Sequence, residues 1–278
     1  MRNLTPSSLD PFKVFRDVIK EKAKRSAPRH ERLTKRLGTF RQYYREYSDA
    51  KLHLETVKTR RHKTNQVEDL QHCYSVRTPP LNELLADIRR NIPPIRSDKC
   101  PYCNIEFPKT FDHYLSLKRF PEYSVHPLNL LPCCNSCNQI KQEQLLTLTG
   151  QRKFLNFYFD RIPEIRCLVV RIDQDPADAF SAEYKLVRPR WFRRDTFQSI
   201  SDHFDTLHLL ERYRESSNAT FSEVQKSMLA HHSSRFEIVR LLREDAAMLS
   251  NEISPNYWRA VLLEAMASHV AFIDSCVA

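Results

Sequence analysis

Two Cys-x-x-Cys pairs, Cys100/Cys103 and Cys134/Cys137, constrain this chain more than any other feature. A gap of two residues lets both sulfurs of a knuckle turn toward one ion, and two such knuckles can close a tetrahedral four-thiolate zinc site. The 30 residues between them (104–133) then become a loop closed by metal. Cys133 adjoins Cys134; Cys134 keeps the two-residue gap to Cys137 and is assigned to the site, with Cys133 as the alternative ligand. Zinc held by four thiolates has no open position, so its expected role is structural. Cys73, Cys167 and Cys276 stand alone and read as buried thiols.

Composition decides which chemistry can accompany that clip. Glycine occurs only at positions 38 and 150, against an average of ~7%. Phosphate-cradling loops need several glycines close together, so an ATPase or a dinucleotide-binding dehydrogenase is excluded. The net charge is +10, and it is one-sided: residues 1–99 hold 23 Lys/Arg against 12 Asp/Glu, whereas the remainder is nearly balanced. A basic segment of this kind is an electrostatic footprint for a polyanion, so nucleic acid is the expected partner. No apolar run reaches the ~20 residues that span a bilayer. The opening MRNLTPSSLDPF lacks the apolar core of a secretory signal. A cytoplasmic location with no membrane association is expected, and there paired cysteines point to metal rather than disulfide.

Along the chain, Asp10-Pro11 reads as an N-cap and first helical position, followed by Phe12, Phe15, Val18 and Ile19 at helical spacing. The charged stretch from Lys20 to Arg36, with Pro28 inside it, reads as a break. Phe40 to Val57 fits a second amphipathic helix, closed by Arg60, Arg61 and Lys63. Leu81, Leu84, Leu85 and Ile88 mark a third. Lys153 to Phe159 reads as a helix end. Arg166 to Asp173 is rich in β-branched residues and reads as a strand, with 182–187 as its hairpin partner. Three helical stretches follow: Phe197 to Leu210; Phe221 to Leu242, with an interruption near His231-His232; and one capped by Ser254-Pro255 that runs to Phe272. Adjacent histidines on a helix point apart, so a metal role for His231 and His232 is not expected.

Between and just after the knuckles lie Asp112, His113, Asn129, Asn138 and Lys141. Histidine has the natural pKa of a general base near neutrality. A carboxylate and an amide oxygen suit a hard Mg²⁺ ion. Asn129 can fix a loop but cannot take a proton. The ordered set Cys100-Pro-Tyr-Cys103, Asp112-His113-Tyr-Leu, Pro127-Leu-Asn129-Leu-Leu-Pro132 and Cys134-x-x-Cys137-Asn138-x-x-Lys141 resembles the HNH endonucleases with their ββα-metal fold. The resemblance covers about 45 residues. It implies His113 as general base on the first strand, and Asn129 as organiser of the connecting loop. It further implies Asp112 and Asn138 as catalytic residues that ligate one Mg²⁺ or Mn²⁺. Lys118, Arg119 and Lys141 would contact substrate. Asn138 in place of a last histidine matches an HNN variant. The family has proline three residues after the catalytic histidine, where this chain has Ser116.

The expected architecture is mainly α with a small α+β centre: a ββα-metal HNH core with a four-cysteine zinc site, flanked by helical N- and C-terminal regions. The divisions expected are a basic helical region at 1–95, the nuclease core at 96–150, a hairpin-containing extension at 151–190 and a C-terminal helical region at 191–278. The function expected is metal-dependent hydrolysis of DNA phosphodiester bonds. By resemblance it would serve bacterial anti-phage defence beside a separate sensor or ATPase. The alternative is a non-catalytic, zinc-stabilised subunit that binds nucleic acid or docks to a partner.

Overall fold

The computed structural model describes every residue except Arg25, Thr149, Pro163, Ala177, Asp178 and Ala278. The chain is mainly helical, with two small two-stranded sheets and a buried four-cysteine cluster. It divides into two compact units. The first comprises Asn3–Cys100 and Phe107–Arg161; the second comprises Met1–Arg2, Pro101–Glu106 and Ile162–Ala278. This differs from the four divisions expected, because the basic helices and the stretch around His113 share one core.

In the first unit, α1 (Pro11–Ala23) starts where expected. The Asp10 carboxylate accepts from Lys13 N at 2.5 Å, and Pro11 needs no partner for a missing N–H. Val14, Phe15, Val18 and Ile19 face inward. The charged stretch continues α1 as far as Ala23 and then supplies α2 (Ala27–Thr34). Helix α3 (Leu37–Asp49) buries Phe40, Tyr44 and Tyr47, one face at i, i+4 and i+7. Phe15 lies 5.2 Å from both Phe40 and Tyr44.

The second helix therefore ends at Asp49 rather than near Val57. Leu54 is buried in a separate short turn, Leu54–Thr56. Arg60 does not close a helix: it pairs with Glu46 and with buried Glu122, at 2.8 Å from the latter. Lys63 instead precedes α4 (Thr64–Ser75), a helix with no expected counterpart. Its periodic signal is weak because it buries a charge, Asp69, held by Arg29 at 2.9 Å and Arg32 at 2.7 Å from α2. Helix α5 (Pro79–Arg90) buries the four expected apolar residues, and α6 (Pro94–Ser97) is a single turn.

Strand β1 (Thr110–His113) pairs antiparallel with β2 (Leu130–Cys133), from Thr110↔Cys133 to His113↔Leu130. Helix α7 (Asn135–Lys141) follows directly. Residues 153–159 form no helix; they are irregular and pinned by side chains. Tyr114 Oη donates to Phe154 O at 2.7 Å, and Tyr158 Oη to Leu130 O at 2.8 Å.

In the second unit, β3 (Leu168–Gln174) and β4 (Phe180–Leu186) form the expected hairpin, with Ile172 opposite Ala182. Helix α8 (Arg194–Thr206) and α9 (Leu209–Ala230) split the first expected stretch at His208, whose φ is +52°. Helix α10 (Arg235–Glu252) begins after the break at His231-His232, with a Ser234/Glu237 capping box. Phe236, expected inside, is exposed. Helix α11 (Trp258–Met266) is preceded by Tyr257, so Ser254-Pro255 lies one turn before the cap; Phe272 sits on a separate α12 (Val270–Asp274). Among the described residues, no helix is long and apolar enough to cross a membrane.

Candidate active site and metal centre

The sulfurs of Cys100, Cys103, Cys134 and Cys137 all lie within 4.8 Å of one another, and all four residues are buried. Sulfurs around a tetrahedral zinc stand ~3.8 Å apart, given Zn–S bonds of ~2.3 Å. The set contains Cys134 rather than Cys133, whose thiol nonetheless lies against Cys100, Cys134 and Cys137. Backbone N–H groups already point at the sulfurs: Cys134 N at Cys100 Sγ (3.3 Å), Cys137 N at Cys134 Sγ (3.4 Å) and Ile105 N at Cys103 Sγ (3.4 Å). Donors aimed at sulfur favour the thiolate that metal binding requires. These four residues could hold a metal such as zinc. Among the described residues no other such group gathers, and His231 and His232 are exposed.

The polar residues beside this cluster are buried. Lys141, at the end of α7, is 0% exposed; its Nζ donates to Asp112 Oδ1 (3.0 Å), His113 O (3.0 Å) and Tyr114 O (3.1 Å). An ammonium with three donors is fully used by these three acceptors. The expected phosphate contact is therefore corrected: Lys141 reaches no substrate, and it fixes the end of β1 from α7. Its partner Asp112 is almost fully buried.

Asn129 is fully buried and joins the two sides of the loop. Its Oδ1 accepts from Leu115 N (2.8 Å), and its Nδ2 donates to Leu115 O (3.0 Å) and Tyr123 O (3.2 Å). Tyr47 of α3 donates to Leu128 O at 3.0 Å beside it. Asn129 thus holds the chain just after His113.

His113 ends β1. Its Nε2 lies 2.9 Å from Ser124 O. A carbonyl only accepts, so Nε2 carries the proton and the lone pair is on Nδ1. Burial pulls its pKa down to about 4, only partly offset by the bond to Ser124. The ring is neutral at pH 7, the form a base requires.

Asp112, His113 and Asn138 line one open cavity of about 330 Å³, together with Tyr74, Ser116, Lys118 and Glu143. Lys118 is exposed and pairs with Glu143 at 2.8 Å, a surface pair that an incoming anion can rearrange at little cost. Arg119 is exposed, with its guanidinium 5.8 Å from the Phe120 ring, and is absent from the cavity wall. Ser116 is buried and its carbonyl accepts from Phe120 N at 2.9 Å, closing a turn.

Two wall residues escaped the sequence reading. Glu143 follows Lys141 by two positions, and an acid that close to a suspected cation site was a usable signal. Tyr74 on α4 packs edge-on against His113, ring centroids 4.4 Å apart, and gives no signal in sequence.

Comparison with known proteins adds one relative. The chain is 25% identical over 191 residues to Protein ea31 of Escherichia phage lambda, an alignment that covers 63% of this chain and 63% of that one. No family profile matches the chain. No solved structure matches it.

Proposed function

We propose that the first unit is a metal-dependent nuclease of the HNH type that hydrolyses phosphodiester bonds of DNA. The observation that carries this reading is the single cavity shared by Asp112, His113 and Asn138, with the His113 lone pair on Nδ1. Strand β1 carries Asp112 and His113 and helix α7 carries Asn138, with strand β2 between them in the chain, which is consistent with the strand, strand, helix order that the resemblance implies.

The oxygens of Asp112 and Asn138 would hold one Mg²⁺ or Mn²⁺. They fit such an ion by chemistry: a carboxylate and an amide oxygen are hard donors on one wall, and Glu143 adds a second carboxylate on the same wall. The ion supplies positive charge that acidifies water and neutralises phosphate oxygens. His113 takes the proton from the attacking water at Nδ1. Ser124 O holds Nε2–H and so fixes the tautomer, Asn129 fixes the loop, and Lys141 fixes the backbone on either side of the ring. Arg119 and Lys118 are exposed beside the cavity and would meet substrate. The four-cysteine site would hold Zn²⁺ and take no part in the chemistry.

A plasmid-cleavage assay with Mg²⁺ or Mn²⁺ tests the assignment. His113→Ala is expected to lower the rate by about 10²–10⁴-fold, with zinc content unchanged. Equal cutting by the variant and the wild type would sink it. A role in anti-phage defence, beside a sensor or ATPase partner, belongs to the same proposal; phage plating on cells carrying wild-type or His113→Ala protein reads it. A plating difference that His113→Ala leaves intact removes the nuclease from that role.

A further inference from the structure

The first unit has a second cavity that hydrolysis at His113 does not use. It lies between the start of α1 and α3, holds about 380 Å³, and brings Lys13, Arg16, Arg41 and Arg45 to one cleft. Two carboxylates share its wall, Asp10 and Asp49. Asp10 is already engaged as the cap of α1, through Lys13 N. Arg41 sits 4.9 Å over the Phe12 ring, and the carboxylate nearest Arg16 is Asp17 at 4.0 Å. Among the described residues, no ion pair joins Lys13, Arg41 or Arg45 to a carboxylate.

This arrangement works against the stability of the empty protein. Like charges on two helices repel across the cleft. Helix α1 carries Lys13 in its first turn, where the capping Asp10 is the acid at its N-terminus. A bound anion relieves the repulsion between the two helices. Arginine guanidiniums match the paired oxygens of a phosphate, and the Arg41 guanidinium sits over the Phe12 ring.

We propose that the α1–α3 cleft binds a phosphate group, and that in the working protein this phosphate belongs to a DNA backbone away from the bond being cut. The choice of DNA rests on the nuclease reading; the phosphate site itself does not. The cleft would anchor and orient the duplex, and the surplus charge of residues 1–99 would raise the encounter rate.

The test uses the full chain as His113→Ala, so that cutting plays no part. Fluorescence anisotropy follows a labelled duplex from about 50 to about 200 mM salt, where each lost phosphate contact lowers the slope of log K against log salt by about 0.9. Lys13→Gln/Arg45→Gln is expected to bind several-fold more weakly with a slope shallower by about 1–2. Both side chains are exposed, so melting temperature and zinc content should hold; Arg45→Gln alone gives a second, milder reading. Arg240→Gln in the second unit should change nothing. An unaltered duplex curve overturns the DNA assignment. If ATP competition is then the property that the double variant loses, the phosphate site stands and its source is a free nucleotide. If neither changes, the site is wrong. A protein that never cuts but shows these shifts keeps the cleft and loses the nuclease; one that cuts without them keeps the nuclease and loses the cleft.

Discussion

The two units bury different kinds of side chain. Around 107–161 the first unit encloses Asp112, His113, Glu122, His126, Asn129 and Lys141, and nearly every one is tied by hydrogen bonds or ion pairs. The second unit is closed by apolar and aromatic packing: Trp258 stacks on Tyr213, and Leu168, Ile172, Ala182 and Tyr184 face inward from the hairpin. Among its described residues, buried polar contacts include the neutral pairs Tyr184 Oη with Ser217 Oγ at 2.8 Å and His203 Nε2 with Tyr102 O at 2.9 Å. Burying charge costs several kcal/mol per ion unless the geometry repays it. A fold selected for stability alone would look like the second unit. The first unit tolerates that cost where exact placement of a few polar atoms matters.

The contrast can be broken most severely at the cysteines. Cys134→Ser or Cys137→Ser should take bound zinc from one per chain to near zero and abolish cooperative melting of the first unit, since structural zinc binding is worth ~10–16 kcal/mol of folding free energy in small domains. Elemental analysis and calorimetry read both. Retention of zinc with three cysteines would call for Cys133 as the replacement ligand.

Next in size is the buried ion pair. Lys141→Met leaves Asp112 without its cation and should cost about 3–5 kcal/mol in urea unfolding. Adding Asp112→Asn should restore part of that. If Lys141→Met is as stable as wild type, the first unit is not held by polar contacts and the contrast fails.

Acid gives a gentler test that touches both units, because burial also pulls the pKa of His203 in the second unit down to about 4. His126 is buried against Tyr44 and Tyr47, its Nδ1 accepts from Leu128 N at 3.2 Å, and burial pulls its pKa to about 3. Unfolded, it titrates near 6.5. Between those values the unfolded chain binds more protons, so this contribution is complete above about pH 6.5 and is lost as pH falls toward about 3. His126→Phe should flatten that part of the stability profile; an unchanged acid limb would assign it to other groups. The smallest effect belongs to the second unit, where Tyr184→Phe should cost about 1 kcal/mol. A loss as large as that of Lys141→Met would erase the difference between the units.

Parts of this organisation were legible in the chain. The knuckle spacing identified the four clustered cysteines, and local apolar periods identified α1, α5 and the β3–β4 hairpin. Periodicity failed where a helix buries charge, as α4 does with Asp69, and where a helix breaks without proline, as at Asp49 and His208. The site followed the same division. His113, Asp112, Asn129 and Asn138 stand out by their order between and after the cysteine knuckles, whereas Lys141 reads like any solvated helix lysine, and Tyr74 like any core aromatic.

By itself the sequence determined which atoms are available: four thiols at ligand spacing, one imidazole next to a carboxylate, two amides and a basic first third. Spacing along a chain is a local property, so it survives without knowledge of the fold. Only the tertiary structure decided which polar groups face water. That choice was made by residues far apart in the chain, Lys141 on Asp112 and Tyr47 on the Asn129 loop, because burial is set by whatever packs over a side chain and no local pattern records it.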